Sequence, residues 1–498
     1  MSSPFYIAVD LGAGSGRVFF VGFDPLELVL EELHRFHYPP REEDGRLRWD
    51  FDLIFENIIR GLSLASERAE ELGRPIRSIG VDTWAVDYGL LDDSGKLVAN
   101  PICYRDTRIV GTMERTFAIV PRSEIFEKTG IQFLNFNTLY QLFTEKKDIP
   151  TASQLLLLPD LVNFFLTGNV ATEYTNATTT QMVNAVTGKW DIELLNQLEI
   201  PTSLLTQIVP NGTDIGKLDS EVSMRTGLFD VRAIAPATHD TASAVAAAPL
   251  DRGWAYISSG TWSLVGVERH SPLIGKKVLD ENFTNEGGAY GSFRFLKNVM
   301  GLWIFESCRR EWEANGFDLS YEEILGRIEA IGDFETLIFP DDERFLNPLS
   351  MMDAIRKQLS ESGQSFADDP VLLSKTIFDS LAFRYASVLG TIEQLTDEEL
   401  IGIQILGGGG RNGYLNQMTA DATRMQVHAG LFEATVVGNA LVQAISAGRF
   451  ASLEDGRNYI AKKIRFEISE PRRSAAIDHA KLKYAAIESQ FSRQGHSQ

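Results

Sequence analysis

Two stretches of this chain repeat one design. Tyr6–Val9 and Val18–Phe23 are short apolar runs of the kind found in buried strands, and between them lies Asp10-Leu11-Gly12-Ala13-Gly14-Ser15-Gly16-Arg17. About 250 residues later, Trp254–Ser258 and Trp262–Val267 flank the small-residue loop Ser259-Gly260-Thr261. Each reads as a hairpin whose turn is small enough to aim backbone N–H groups at an anion. Glycine supplies the positive φ angles and the close approach that a phosphate needs. Recurrence at this distance predicts a duplicated α/β fold with a ligand between the halves, and 498 residues are too many for one ordinary core.

The first loop is not a P-loop, since no Gly-Lys-Ser/Thr follows at the required spacing. It is not a dinucleotide fingerprint either, because a strand rather than a helix follows it. Asp10, at the strand end, is placed to hold Mg²⁺ directly or through water. Arg17 is placed to neutralise phosphate charge. The formal net charge of −21 disfavours nucleic acid and anionic membranes as partners. No apolar run approaches the ~20 residues that span a bilayer, and Met-Ser-Ser-Pro-Phe, with no basic region followed by an apolar run, is not expected to act as a leader. Cys103 and Cys308 lack metal-ligand spacing and read as buried thiols in a reducing compartment, so the expected location is the cytoplasm.

Chemistry concentrates at Ala237-Thr238-His239-Asp240-Thr241-Ala242-Ser243-Ala244. An apolar run leads in and a run of small residues leads out, which predicts a strand, a tight turn and a helix with Asp240 in its first turn. Near the N–H groups of a helix start, a carboxylate on rigid elements suits a general base for one hydroxyl. A plain N-cap is the competing reading. Upstream, Ser78–Asp82 is a strand ending in Thr83-Trp84-Ala85-Val86-Asp87, and polar groups with a Trp at a strand end are typical of a ligand-facing lip. With Tyr104-Arg105-Asp106-Thr107-Arg108, Trp84 and Asp87 would make a sugar-like site of an aromatic face ringed by donors and acceptors. Glu173–Gln181, rich in hydroxyls and amides, reads as an exposed loop or a further part of the cleft lining.

Late in the chain, Ile403–Leu406 runs as a strand into Gly407-Gly408-Gly409-Gly410-Arg411-Asn412, with a helix following from about Tyr414. Four glycines between strand and helix leave room for a flat ligand, or for phosphates at the helix N-terminus. Leu373, Ile377, Leu381, Tyr385, Val388, Ile392 and Leu395 recur at helical spacing as core. Glu433–Ala440 opens what reads as the last strong helix.

Several stretches resemble the FGGY carbohydrate kinases over roughly residues 5 to 450, in particular the branch of that family that phosphorylates L-rhamnulose. They are Gly80–Asp87, Tyr104–Arg108, Gly130–Leu142, Glu173–Gln181, His239–Val245, Ser258–Leu264 and Asn285–Gly288. The resemblance implies two ribonuclease-H-like domains of the actin-like ATPase fold around a central cleft, divided here as 1–247 and 248–498. It implies ATP- and Mg²⁺-dependent phosphorylation of L-rhamnulose at O1, with Asp240 as base and His239 and Thr241 beside it on the substrate. Trp84, Ala85, Asp87 and Arg105 would complete the sugar site. Ala13, Gly14, Ser15, Gly16, Arg17, Thr261, Asn298, Glu306, Gly408 and Gly409 would contact ATP. Ala85 stands where that branch has Gly, and Glu306 where it has Gln. Another ketose, L-fuculose or a pentulose, and a non-catalytic actin-like nucleotide or sugar sensor are the alternative readings, and a monomer or homodimer is expected.

Overall fold

In the computed structural model, residues 4–145, 149, 151–317, 319–332 and 336–492 are described. Met1–Ser3 and the polar tail past Ser492 lie outside them. The chain divides into two compact units. The first holds residues up to Pro249 together with Glu268–Phe295 and Glu433–Lys463, and the second holds Leu250–Val267, Leu296–Phe432 and the chain from Ile464 onward.

The first unit is built on β1 (Phe5–Gly12), which pairs antiparallel with β2 (Ser15–Phe23), itself antiparallel to β3 (Leu28–His37). Phe5 to Leu11 are buried without alternation, as expected of a central strand covered on both faces. Helix α1 (Phe51–Leu72) starts where Asp50 accepts the Leu53 N–H at 3.0 Å and stops at Gly73, whose φ of 59° a left-handed cap requires. Ile54, Ile58, Ile59 and Leu62 form its buried stripe. Strand β4 (Ile76–Thr83) then lies parallel to β1, setting Asp10 beside Asp82. Strands β5 (Asp214–Lys217) and β6 (Arg232–Ile234) complete the sheet in the order β3-β2-β1-β4-β6-β5. Past β6 the chain enters helix α2 (Asp240–Ala247).

In the second unit β7 (Trp254–Ser259) and β8 (Trp262–Arg269, its last two residues counted with the first unit) form an antiparallel hairpin, followed by β9 (Phe293–Met300, counted with the second unit from Leu296) and helix α3 (Trp303–Ala314). The long helix α4 (Pro370–Thr396) is capped by Asp369 and carries the predicted apolar repeat, buried at Leu373, Ile377, Leu381, Tyr385, Val388 and Ile392. Strand β10 (Gly402–Leu406), helix α5 (Gly413–Thr423), strand β11 (Gln426–Leu431) and strand β12 (Glu467–Ser469) follow. The strand order β9-β8-β7-β10-β11-β12 repeats that of the first unit's six strands, and a seventh strand, Thr284–Gly287, adds to the sheet beyond β9. An antiparallel hairpin comes first, two parallel strands next and an antiparallel edge last. The duplication predicted from the two hairpins is therefore present in the shared six-strand order.

Helix α6 (Ala434–Ser446) belongs to the first unit and packs on α2. Its Gln443 and Asn439 reach the sheet: Gln443 Nε2 donates to the Ile7 carbonyl at 3.0 Å, and the Ser78 hydroxyl donates to Gln443 Oε1 at 2.7 Å. Gly80 makes room for them, since a Cβ there would fall 2.3 Å from Asn439 Oδ1. Two expectations fail. Of the two readings of Glu173–Gln181, the exposed loop fails: every residue but the half-buried Tyr174 is buried and Tyr174–Thr179 is helical, its hydroxyls turned back onto the local backbone. The helix opening at Ala434 is not the last, because Leu453–Lys463 and Ala475–Ser492 are helices too. No helix among the described residues is long and apolar enough to cross a membrane.

Candidate active site

Three neighbouring chain segments of the first unit end together. β1 carries Asp10, β4 carries Asp82 and Thr83, and Thr83 bridges in parallel to His239, its N–H donating to the Thr238 carbonyl at 2.9 Å. Ligands of parallel sheets bind at such carboxyl ends. Register across the β1–β2 hairpin sets Asp10 opposite Arg17, and the two side chains form an ion pair. Arg17 Nη1 also donates to Glu433 Oε2 at 2.5 Å. Burial alone would lower the Arg17 pKa, but Asp10 and Glu433 outweigh it and the net shift is upward. Tyr38 fastens the loop, its hydroxyl donating to the Gly12 carbonyl at 2.6 Å with the Ser15 carbonyl 2.9 Å away. Gly14 takes a φ of 126° at the turn.

Asp82 is fully buried, and its Oδ2 accepts from Asn439 Nδ2 at 2.5 Å, while Oδ1 accepts no hydrogen bond from a protein donor. Burial, the Asp10 charge and, more weakly, the Asp240 charge hold its pKa well above the usual carboxylate range. Crowded acidic oxygens with an unsatisfied acceptor fit a hard cation. No group of three or more His, Cys, Asp or Glu among the described residues forms a ready-made metal cage.

Asp240 is the first helical residue of α2, and the N-cap is His239, with no side-chain cap. The plain N-cap reading is therefore wrong. The Asp240 Oδ1 atom instead accepts the Thr241 N–H at 2.5 Å, with the Thr241 hydroxyl at 3.2 Å. Its side chain stays 31% exposed, yet loss of water and the Asp10 charge push its pKa up to about 7, against the Thr241 hydrogen bonds and Arg294. A carboxylate poised there accepts a proton near neutral pH. His239 is buried, with Nε2 3.3 Å from Asp240 Oδ1; burial, then the Arg294 charge, hold its pKa well below the usual histidine value. The turn is anchored from below by Glu173, whose Oε2 accepts from the Thr238 N–H (3.1 Å), the Thr238 hydroxyl (2.8 Å) and the Thr175 N–H (2.9 Å). The sequence leaves Glu173 between an exposed loop and the cleft lining, and one acid among hydroxyls does not reveal this anchoring role.

At the lip, Asp87 is buried and bonded to its own protein. Its Oδ2 accepts from the indoles of Trp49 (2.7 Å) and Trp84 (3.0 Å) and from the Tyr104 N–H (3.2 Å), and Gln141 Nε2 lies 3.4 Å from Oδ1. Burial lifts its pKa to about 6 despite both indoles and Arg108. Asp87 thus orients the aromatic wall. That wall is Tyr38, Trp49 and Trp84, with the Trp49 and Trp84 rings 4.7 Å apart. Between Ala85, which is partly exposed, and Asp87, Val86 takes a φ of 68°, a strained conformation for a β-branched residue, held by Thr138 and Gln141 on its carbonyl. The Arg105 guanidinium lies 5.1 Å from the Tyr104 ring. Tyr104, Asp106 and Arg108 are buried.

In the second unit, the β7–β8 turn is clasped by the start of α3. The Gly260 carbonyl accepts the Leu302 N–H at 3.0 Å, and the Thr261 carbonyl accepts the N–H groups of Gly301 and Trp303, each at 3.2 Å. The glycine ribbon after β10 lies on the same turn: a Cβ at Gly409 would fall 2.1 Å from Ser259 Oγ, while one at Gly408 would meet nothing within 4 Å. One face of the ribbon is thus packed and the other open. Asn412 closes it by accepting the Leu415 N–H at 2.9 Å. Glu306, on α3, pairs with Arg309 at 2.9 Å. Burial and then the Glu306 charge raise the pKa of Tyr321, against a hydrogen bond from Asn412, so Glu306 and the ribbon's end share one neighbourhood. Asn298 lies on β9.

The chain matches the N-terminal domain of the FGGY family of carbohydrate kinases over residues 5–247 and the C-terminal domain of that family over residues 255–447. It is 41% identical to a rhamnulokinase of Bacteroides thetaiotaomicron over 484 residues, covering 96% of this chain and 98% of that protein. It is also 41% identical to a rhamnulokinase of Oceanobacillus iheyensis over 458 residues, covering 91% and 96%. Among solved structures, the gluconate kinase of Lactobacillus acidophilus superposes with a TM-score of 0.81 over 98% of each chain at 16% identity. The xylulose kinase of Rhodospirillum rubrum does so with a TM-score of 0.79 over 98% and 99%, also at 16% identity. Those likenesses give the two-domain, actin-like sugar-kinase fold expected from the sequence. Family profiles matched across both halves, on a chain whose duplicated sheets each present a small-residue hairpin, make this protein a member of the FGGY family of carbohydrate kinases.

Proposed function

We propose that this chain transfers the γ-phosphoryl group of ATP to O1 of L-rhamnulose, with Asp240 as the base. The observation that carries the reading is Asp240 itself, a carboxylate at the start of α2, fixed by Thr241 and poised with a pKa of about 7. As the O1–P bond forms and the bond to the ADP oxygen breaks, Asp240 Oδ takes the O1 proton, and ADP leaves with the electron pair. Identity of 41% to proteins named rhamnulokinase, over nearly the whole chain, supports L-rhamnulose as the sugar. Trp84 would lie against the sugar, Ala85 and Arg105 would flank it, and Asp87 would keep both indoles in place. The hairpin Ala13–Arg17 and, in the second unit, Thr261, Asn298, Glu306, Gly408 and Gly409 would take ATP. Mg²⁺ brought with ATP would be held at Asp10 and would offset phosphate charge. Two buried thiols, Cys103 and Cys308, suit action in the cytoplasm.

A second reading, a kinase of L-fuculose or a pentulose, is favoured by Ala85. Its methyl group stands beside Trp84, where the family resemblance implies Gly for the L-rhamnulose branch. A coupled ADP-release assay with L-rhamnulose, L-fuculose, L-ribulose and D-xylulose separates the two. Asp240→Asn should lower kcat about 10²–10⁴-fold while ATP still binds by calorimetry. Near-normal turnover of that variant would sink the assignment of the base.

A further inference from the structure

Behind His239 lies a buried ion pair that no step above uses. Arg294, on β9, is fully buried; its Nη2 is 2.9 Å from Glu286 Oε2, and its Nε donates to the Gly287 carbonyl at 3.0 Å. The same Nη2 stands 2.8 Å from His239 Nδ1, whereas Glu286 Oε2 is 3.5 Å from that nitrogen. A guanidinium only donates, so Nδ1 must accept, and 3.5 Å is too long for a competing Nδ1–H to the carboxylate. The remaining ring proton is then on Nε2, the atom 3.3 Å from Asp240 Oδ1.

We infer that Arg294, held by Glu286, is a positioning residue that locks His239 as the neutral Nε2–H tautomer. His239 then offers the substrate side a donor and no acceptor, which leaves Asp240 as the one base facing the sugar hydroxyl. An Nε2 lone pair at that place would compete for the hydroxyl proton and turn it away from Asp240. The inference rests on Asp240 being the base. Groups facing His239 are Asp240 on α2, Glu286, and Arg294 on β9; each acts on the ring from one side.

The test is ¹⁵N-detected NMR of the ring nitrogens in the full-length wild-type protein at pH 7, with the His239 signal assigned by its loss in His239→Gln. A pyrrole-type Nε2 and an acceptor-type Nδ1 are expected. An Nδ1–H tautomer or an imidazolium would overturn the inference whether or not any variant folds. In the charge-balanced double variant Glu286→Gln/Arg294→Met, the Nδ1–H form should appear, and kcat should fall about 10–100-fold with the ATP KM unchanged. A double variant that keeps both tautomer and kcat would also overturn it. Full activity in Asp240→Asn beside the Nε2–H signature would instead refute the base and leave the lock standing.

Discussion

Gly438 of α6 lies against the main-chain carbonyl of Ser243 in α2: a Cβ at Gly438 would fall 1.7 Å from that oxygen. The two helices therefore touch backbone to backbone, and α2 carries Asp240 on its first turn. The height of the proposed base above the sheet is set by the absence of one methyl group on another helix.

Gly438→Ala should accordingly act on both stability and rate. The obstacle is backbone, which no rotamer change relieves, so α2 or α6 must shift, at a cost of about 3 kcal/mol. A lower Tm in scanning calorimetry is expected. A kcat about 100-fold down is expected in the molecules that remain folded, because a shift near 1 Å at the base has that effect. An unchanged Tm would mean that the helices are not in contact at this point.

How much of this was legible in the sequence follows from how local each signal is. The hairpins at Tyr6–Phe23 and Trp254–Val267, the strand-turn-helix around Asp240 and the apolar repeat of α4 are set by neighbours in the chain, and all stand where the pattern put them. The roles of Glu173 and of Arg294 were not legible because they lie in partners 65 and 55 residues away, Thr238 and His239. Trp49 was missed as a site residue for the same reason, its indole finding Asp87 across 38 positions. The helix Ala475–Ser492 was overlooked because only Ile477, Ala480, Tyr484, Ile487 and Phe491 are buried in its 18 residues, too thin a stripe to stand out.

Trp49→Phe tests whether Asp87 serves the aromatic wall. The change removes a 2.7 Å donor from a buried carboxylate and should destabilise by about 1–3 kcal/mol. Its pH dependence has a definite sign. Asp87, already raised to about 6, would rise further without the indole, so the native state would hold its proton to higher pH. The stability gap between variant and wild type should then be wider at pH 8 than at pH 5 in urea titrations. The sugar KM should rise more than kcat falls.

The glycine ribbon yields a paired prediction. In Gly409→Ala the new methyl meets Ser259 Oγ at 2.1 Å and the Ser259 carbonyl oxygen at 2.8 Å, so the ribbon must move and Tm should fall. In Gly408→Ala nothing lies within 4 Å, and Tm should hold. If the open face receives ATP, both variants should bind a non-hydrolysable ATP analogue at least about 10-fold more weakly by calorimetry. Wild-type affinity in Gly408→Ala would move the nucleotide off that face.

Asp240 should leave two opposite marks on pH profiles. As a base with a free-enzyme pKa of about 7, it should make kcat/KM fall with unit slope below that pH. His239, held neutral, should add no second limb on the acid side. Stability runs the other way. With its pKa raised from 3.8 to about 7, the native state binds this proton more tightly than the unfolded chain does, so stability falls as pH rises through that window. Asp240→Asn removes the penalty. The full shift would convert to about 4 kcal/mol, but with the side chain 31% exposed, solvent screening reduces this to about 1–2 kcal/mol. Asp240→Asn should therefore melt above wild type at pH 8 and level with it at pH 4. A variant no more stable at pH 8 would show that the carboxylate is not strained toward its proton, and the acid limb of kcat/KM would then belong to another group.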